Sequence, residues 1–327
     1  MSRQAVADAI RAASRVTAIC HENPDADTLG AALALRLAAV QLGKEAEVVA
    51  ADPVPPSLAA LAGAAEVRTS PRLEPDLAVI VDGPLSRTGA IVEDAAEWLA
   101  RARVVNIDHH ISNDGQGATA AWVDAEAAAT CEMVALLMGD LGVTIDADIA
   151  SLLTAGIVGD THTFSHPNAT PRTLRIAADL LAAGAPLSAI HRAIYADRPF
   201  SSLVLWGRIL AGAEERCAGR IVFAAMTTAM LAETNTSPVA SEGFIDLLAS
   251  TKTADITLLV KEVDGTHARA SVRTTARADA VAITAAFGGG GHARAAGCSV
   301  DAPLEEAIAQ LLTESTRELD RADVRGR

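Results

Sequence analysis

Four short polar clusters interrupt the first half of this sequence, and each follows an apolar run. Val16-Thr17-Ala18-Ile19-Cys20 leads into His21-Glu22-Asn23-Pro24-Asp25-Ala26-Asp27. Leu77 to Val81 ends at Asp82-Gly83, Val104-Val105-Asn106-Ile107 ends at Asp108-His109-His110, and the apolar stretch 149–158 runs into Gly159-Asp160-Thr161. Four carboxylates (Asp25, Asp27, Asp82, Asp160) and three imidazoles (His21, His109, His110) are thus placed at separate strand ends or turns. Carboxylates gathered closely repel and raise one another's pKa unless cations lie between them. A mixed Asp/His set without cysteine favours hard or borderline divalent ions, manganese or magnesium over structural zinc. Two such ions roughly 3.5–4 Å apart form a clamp for in-line displacement at phosphorus. Singly, each piece has an ordinary explanation: a solvated turn for Asp-x-Asp, a tight turn for Asp82-Gly83, a helix cap for Asp160-Thr161. Their joint occurrence behind apolar segments is what singles them out.

The elements that must position these residues alternate between strand and helix. The periodicity predicts a helix over 4–14, a strand at Val16–Cys20, a helix from Thr28 to Leu42 closed by Gly43, and a strand at Glu47–Ala50. A strand at Leu77–Val81, a helix over 93–103 and the Val104 strand follow, then helices from Ala125 to Leu141, Ile149 to Val158 and Thr170 to Ala183. β-branched runs alternating with helices predict βαβ units and a mostly parallel sheet, whose ligands collect at strand carboxyl ends. Residues 186–215, with Tyr195, Arg198, Phe200 and Trp206, read as a helical connector in which Tyr195 and Phe200 pack. Strands at 220–226, 256–263 and 267–274, a glycine loop at 287–292 and a helix from Pro303 to Leu319 make a smaller second α/β domain. The charged tail from Asp320 is expected to fray.

Composition narrows the function. The chain has 327 residues, half of them hydrophobic, with 27 basic and 41 acidic side chains and a net charge of −14. Such a balance argues against coating long nucleic acid, though not against a short anionic ligand in a local basic pocket. Aromatic residues are 3%, which leaves few stacking platforms for single strands. No apolar run approaches the roughly 20 residues of a membrane span, and the N-terminus lacks a signal-peptide core. The scattered cysteines Cys20, Cys131, Cys217 and Cys298 form no CxxC pair. A cytoplasmic protein without membrane partners is expected, with a homodimer left open.

His21-x-x-Pro24-Asp25-x-Asp27, Val81-Asp82, Asp108-His109-His110 and Gly159-Asp160-Thr161, in this order, resemble the four motifs of the DHH phosphoesterase family. Gly288-Gly289-Gly290-Gly291-His292-Ala293-Arg294-Ala295-Ala296-Gly297 resembles the glycine-rich signature of the accompanying DHHA1 domain. Ala270-Ser271-Val272-Arg273-Thr274 resembles that domain's Ser-x-Arg-Ser strand, with threonine last. The likeness runs from residue 16 to about 300, and the two-domain layout resembles the nanoRNase and pAp phosphatase group. It implies a DHH domain at 1–185 with a dimetal site, a connector at 186–215 and a DHHA1 domain at 216–327, flanking a cleft. By the same resemblance His21 and Asp25 hold one ion, Asp27, His109 and Asp160 a second, and Asp82 bridges both. His110 faces the phosphate as acid or electrostatic stabiliser, and Asp108 orients an imidazole. The family motif usually reads Thr-Gly where this chain has Thr161-His162; the imidazole would narrow the cleft, touch phosphate or point away.

In the second domain, Arg273 and His292 are the candidates for gripping a terminal phosphate or nucleobase, with Gly289, Gly290 and Gly291 offering backbone N–H groups to an anion. Arg269 and Arg294 stand behind them. The implied activity is manganese-dependent hydrolysis of short RNA oligonucleotides and of 3′-phosphoadenosine 5′-phosphate (pAp). Cyclic di-AMP or pApA phosphodiesterase activity is the alternative in the same chemistry, and a non-enzymatic nucleotide sensor the alternative of another class. A family II pyrophosphatase resembles a different second domain, and RecJ-type exonucleases carry further domains.

Overall fold

Five apolar runs of the first half pair side by side into one parallel sheet. In the computed structural model, which describes residues 2–88 and 96–325, helix α1 (Arg3–Ala12) precedes β1 (Arg15–Ile19), α2 (Ala26–Gln41), β2 (Glu45–Val49) and β3 (Leu77–Val81). A single turn, α3 (Ala96–Leu99), then leads to β4 (Arg103–Asp108) and β5 (Ala120–Val123). The strand order is β2-β1-β3-β4-β5, and every neighbouring pair is parallel. β3 is buried along its whole length, as a strand covered on both faces must be. Strand order reverses beside β1, so the ends of β1, β3 and β4 lie next to one another at the point where open α/β sheets gather ligands.

Helices α4 (Thr130–Leu141), α5 (Ala147–Asp160), α6 (Pro171–Ala182) and α7 (Leu187–His191), then a π-helical turn at Arg192–Ala196, complete this part. α2 packs on β1 and β2 and against α5. Two glycines permit the close helix approach. A Cβ at Gly30 would come 2.5 Å from the Leu152 carbonyl oxygen, and one at Gly156 would come 2.3 Å from Cys131 Sγ and 2.5 Å from Asp27 Oδ1.

The chain divides into two compact units, Met1–Asp197 and Arg198–Arg327, and the division falls within the stretch 186–215. The second unit holds α8 (Phe200–Ala211), β6 (Glu214–Arg216), β7 (Ile221–Met226), α9 (Thr228–Thr234), α10 (Phe244–Ala249), β8 (Ile256–Glu262) and β9 (Ala268–Thr274). It ends with α11 (Ala280–Thr284), β10 (Gly290–His292), β11 (Ala295–Val300) and α12 (Leu304–Arg325). Its sheet runs β10-β11-β9-β8-β7-β6, with β7 and β8 parallel and the other neighbours antiparallel.

Several sequence expectations need correcting. The helix expected over 93–103 is one turn among the described residues; 89–95 lie outside them, and Arg103 already belongs to β4. β5 and β6 were not expected, being too short to show a period. The helix expected from Ala125 starts only at Thr130. The glycine loop is half strand, since Gly290–His292 pairs with Ala295–Gly297. The tail does not fray at Asp320: α12 continues to Arg325, because Arg220 pairs with Asp323 and Arg325 with the buried Glu318. Phe200 does not pack, being 80% exposed.

Candidate metal centre

Each polar cluster reaches the site for a local reason. Asp25 caps α2: its Oδ1 accepts from the Asp27 and Thr28 N–H groups, at 3.0 and 3.1 Å, while Oδ2 lies 3.7 Å from His21 Nε2. One carboxylate thus ends the helix and faces the site at once. Asp27 is fully buried at the start of α4, where its oxygens accept from the Thr130 and Cys131 N–H groups at 2.6 and 2.8 Å. A helix N-terminus is a favourable place for a carboxylate, since its first N–H groups have no partner within the helix. Asp82 directly follows β3 in the left-handed region, at φ 61°, which Asp adopts more readily than most side chains. It accepts from Thr130 Oγ1 at 3.0 Å and lies 3.4 Å from His21 Nε2 and 3.5 Å from His109 Nε2.

The imidazoles are oriented by their other nitrogens. His21 Nδ1 donates to the Glu22 carbonyl at 2.6 Å, and His109 Nδ1 to the Ala127 carbonyl at 3.3 Å, so both Nε2 atoms turn inward. His109 Nε2 is buried without a well-formed hydrogen bond, although Asp160 Oδ2 lies 3.1 Å away. His110 Nδ1 lies 2.6 Å from Asp108 Oδ1. Asn113 Nδ2 donates to the other Asp108 oxygen at 2.6 Å and to Asn106 Oδ1 at 2.7 Å, and Asn106 Nδ2 donates to the Gly83 carbonyl at 2.8 Å. Asp160 is the last residue of α5, where a helix was expected, so three strand ends and one helix end build the site.

Three groups of ligand atoms result, each with its members within 4.8 Å of one another: His21 with Asp25 and Asp82, Asp27 with His109 and Asp160, and Asp82 with His109 and His110. All seven residues singled out in the sequence are brought together here. Asn106, Asn113, Thr130 and Gly156 were not singled out. Asn106 alone left a sequence signal, as a polar residue inside an apolar strand.

Charge in this pocket is poorly balanced without a cation. Burial and the neighbouring Asp27 push Asp82 well above the usual carboxylate range and Asp160 up to about 7. Burial works against the charged forms of His21 and His109, yet Asp25 and Asp82 around the first, and Asp160 around the second, raise both to about 10. Asp25 and Asp108 stay below their ordinary value: burial is outweighed by His21 for the first and by His110 for the second. The thiols of Cys20 and Cys131 are raised by burial and stay protonated, so they add no ligand. An orphaned imidazole nitrogen, crowded carboxylates and a donor set of O and N atoms fit divalent cations.

These shifts give a test. With His21 and His109 protonated below about 10, ion binding must expel protons. Manganese affinity should therefore rise with pH across the neutral range, with about one proton or more released per ion near pH 7. Calorimetry in buffers of different ionisation enthalpy measures this; an affinity flat between pH 6 and 8 would refute it.

The remaining sequence candidates lie elsewhere. His162, at φ 46°, sets its ring against His166 (centroids 5.3 Å apart) and Tyr195 (4.5 Å). Tyr195 packs as expected, its hydroxyl donating to the Gly159 carbonyl at 2.7 Å. In the second unit Arg273 lies on β9 and donates from Nε to Asp246 Oδ1 at 2.8 Å. Gly289 and Gly291 are held close to β11: a Cβ would come 2.4 Å from the Gly297 oxygen and 2.5 Å from the Ala295 oxygen. Packing alone therefore accounts for glycine at both positions, whereas Gly290 faces open space. His292 pairs through its backbone with Ala295, and its side chain lies outside what is described. Arg294 is engaged by the Thr275 and Ala278 carbonyls.

A parallel sheet with aspartates and histidines at adjoining strand ends, followed by a second mixed sheet, defines the class: the chain belongs to the DHH family. It matches the DHH family, N-terminal domain, over residues 15–157 and the DHHA1 domain over residues 220–319. It is 32% identical to the bifunctional oligoribonuclease and PAP phosphatase NrnA of Thermus thermophilus, over 92% of this chain and 89% of that one. It is 30% identical to a probable manganese-dependent inorganic pyrophosphatase of Enterococcus faecalis, over 48% of this chain and 51% of the relative. An exopolyphosphatase-related protein from Bacteroides fragilis superposes with a TM-score of 0.90 at 21% identity, covering 98% of this chain and 97% of the other, which speaks for the fold. No single described helix is long and apolar enough to cross a membrane.

Proposed function

We propose that this protein is a manganese-dependent phosphoesterase that hydrolyses short RNA oligonucleotides to mononucleotides and pAp to AMP. The observation that carries the chemistry is Asp82, buried between two sets of imidazole and carboxylate ligands. His21 and Asp25 would hold one divalent ion, Asp27, His109 and Asp160 a second, and Asp82 both. When bound, such a pair activates water and neutralises charge growing on the phosphoryl oxygens. The choice of substrates is supported by the name of the Thermus relative, and manganese by the name of the Enterococcus one, with magnesium as the substitute.

The chain's own groups do the rest. Asp108, locked by Asn113, holds the His110 ring by Nδ1 and fixes its orientation, so that His110 can stabilise a phosphoryl oxygen or supply a proton. Asp25 and Asp27 keep their carboxylates fixed through backbone N–H groups, so little reorganisation is needed as charge develops. Arg273, His292 and the glycines 289–291 bind the charged parts of the substrate. Arg273→Ala should lower kcat/KM for pAp about ten- to hundredfold, mainly through KM, as expected for one charge-assisted hydrogen bond. Its effect on a small generic diester should be clearly smaller; equal losses on both substrates would place Arg273 in the catalytic centre.

Incubation with manganese and a panel of pAp, pApA, cyclic di-AMP and RNAs of two to five nucleotides tests the proposal. AMP from pAp and mononucleotides from the RNAs are the expected products. Preferential cleavage of pApA or cyclic di-AMP would shift the substrate, and binding without any hydrolysis would make the protein a sensor.

A further inference from the structure

The second unit's sheet is closed on one face and half open on the other. α11 and α12 cover the face formed by Ile256, Leu258, Val260, Ala270, Val272, Ala296 and Cys298. On the opposite face α8 and α10 cover Val222, Ala224, Met226 and Leu259. Strand register continues this second face outward, because directly paired residues point the same way. Leu259 pairs with Ser271 and Ser271 with Gly297; Lys261 pairs with Arg269 and Arg269 with Ser299. Ser271 and Lys261 are half-buried, while Arg269, Gly297 and Ser299 are exposed. The result is a polar ledge beside α10, with Gly297 leaving room at its middle.

The cations here have, among the described residues, no carboxylate beside them, and two of them are half-buried. Most other arginines of this unit have a carboxylate within ion-pair distance, as Arg220 has Asp255 and Arg273 has Asp246. Among the described residues, Lys261, Arg269 and Arg198 have none; Lys252, Arg277, Arg294 and Arg321 also have none, but those four are exposed, whereas Lys261 and Arg198 are half-buried. Arg198 is held by its flat side, 4.5 Å over the Trp206 ring, and against Gly243, where a Cβ would come 2.7 Å from its Nη2. Burial depresses the Lys261 ammonium, with Glu242 opposing and Arg269 and Arg273 adding to the effect; burial also raises Glu242 despite Lys261 and Arg198. A lysine seldom gives up water without a partner. Charge distribution agrees: residues 1–197 carry 13 basic against 25 acidic side chains (net −12), residues 198–327 carry 14 against 16 (net −2).

We propose that Lys261 and Arg269, paired across β8 and β9, form an anion subsite on this ledge that takes a phosphate of a nucleotide ligand other than the one being hydrolysed. The inference rests on the proposed function for the identity of the ligand, and its chemistry is that of a phosphate mono- or diester. A compact, strongly hydrated ammonium is a point-charge binder of phosphate, and the Arg269 guanidinium on the neighbouring strand supplies planar donors beside it. Arg273 is tied by Nε to Asp246 and serves as a separate contact.

The test uses pAp and the calcium-loaded full-length protein, after checking that pAp is recovered intact. Affinity is measured by calorimetry for the wild type and for Lys261→Met, Arg269→Gln and Lys252→Met. Lys252 is an exposed lysine of the same unit that lies off the ledge, so its variant controls for loss of one positive charge. Lys261→Met should bind pAp about ten- to hundredfold more weakly and Arg269→Gln several-fold more weakly, while Lys252→Met stays within about twofold. Lys261→Arg should recover much of the loss. Wild-type affinity in both Lys261→Met and Arg269→Gln would overturn the inference and leave Lys261 as a side chain lying along the sheet with its charge at the rim. Arg269 is exposed, so its variant reports even if Lys261→Met fails to fold. If the wild type binds pAp but hydrolyses neither it nor RNA, the proposed function falls and the subsite stands. If hydrolysis is normal and the variants bind as the wild type does, only the subsite falls.

Discussion

Asp82→Asn is expected to lower turnover roughly a thousandfold or more without lowering the melting temperature of the ion-free protein. The substitution is isosteric, and asparagine also tolerates the left-handed backbone at this position. The amide oxygen can still accept from Thr130 Oγ1. What disappears is, among the described residues, the one carboxylate that faces both His21 and His109. The stability sign follows from linkage. Burial raises Asp82 above its unfolded value, so the folded ion-free protein holds a proton that the unfolded chain releases, and stability falls as pH rises above the ordinary carboxylate range. Asparagine removes that liability at neutral pH. The measurement is a pair: single-turnover hydrolysis with saturating manganese, and thermal unfolding after chelation. Activity within tenfold of wild type in a folded, manganese-loaded variant would end the bridging assignment.

Exhaustive chelation is expected to abolish hydrolysis, and manganese to restore it far better than calcium. Two of the three ligand groups contain a histidine and two carboxylates, and the third contains two histidines and one carboxylate. Manganese accepts carboxylates together with imidazole nitrogens, whereas calcium prefers six to eight oxygen ligands at longer distances. The ligand atoms are also fixed: Asp27 by two backbone N–H groups, Asp25 by helix capping, and His21 and His109 by backbone carbonyls. So rigid a cage would hold the larger ion without positioning it for the reaction. Metal-stripped protein assayed on pAp across a series of divalent ions gives the answer. Undiminished activity after verified removal of metal would show that these carboxylates and histidines serve another purpose.

The chain's local chemistry was legible in its sequence. Apolar β-branched runs ending in Asp or His give strands buried on both faces, and alternation with helices gives a parallel sheet with ligands at one edge. Both properties depend on neighbours a few residues apart. What tertiary structure decided depends on groups far apart in sequence. Asp27 is held by the start of α4, more than 100 residues away (|i−j| of 103 and 104), and only because Gly156 leaves space beside it. Asn106 reaches back 23 residues from β4 to the Gly83 carbonyl beside Asp82. In the second unit the glycine run suggested an anion cradle, but backbone packing already requires glycine at 289 and 291. The unpaired cations, Lys261 on β8, Arg269 on β9 and Arg198 over Trp206, come from separate segments. Periodicity reports which face a side chain takes on its own element; packing decides what that face meets, and a carboxylate's partners exist only once the elements have docked.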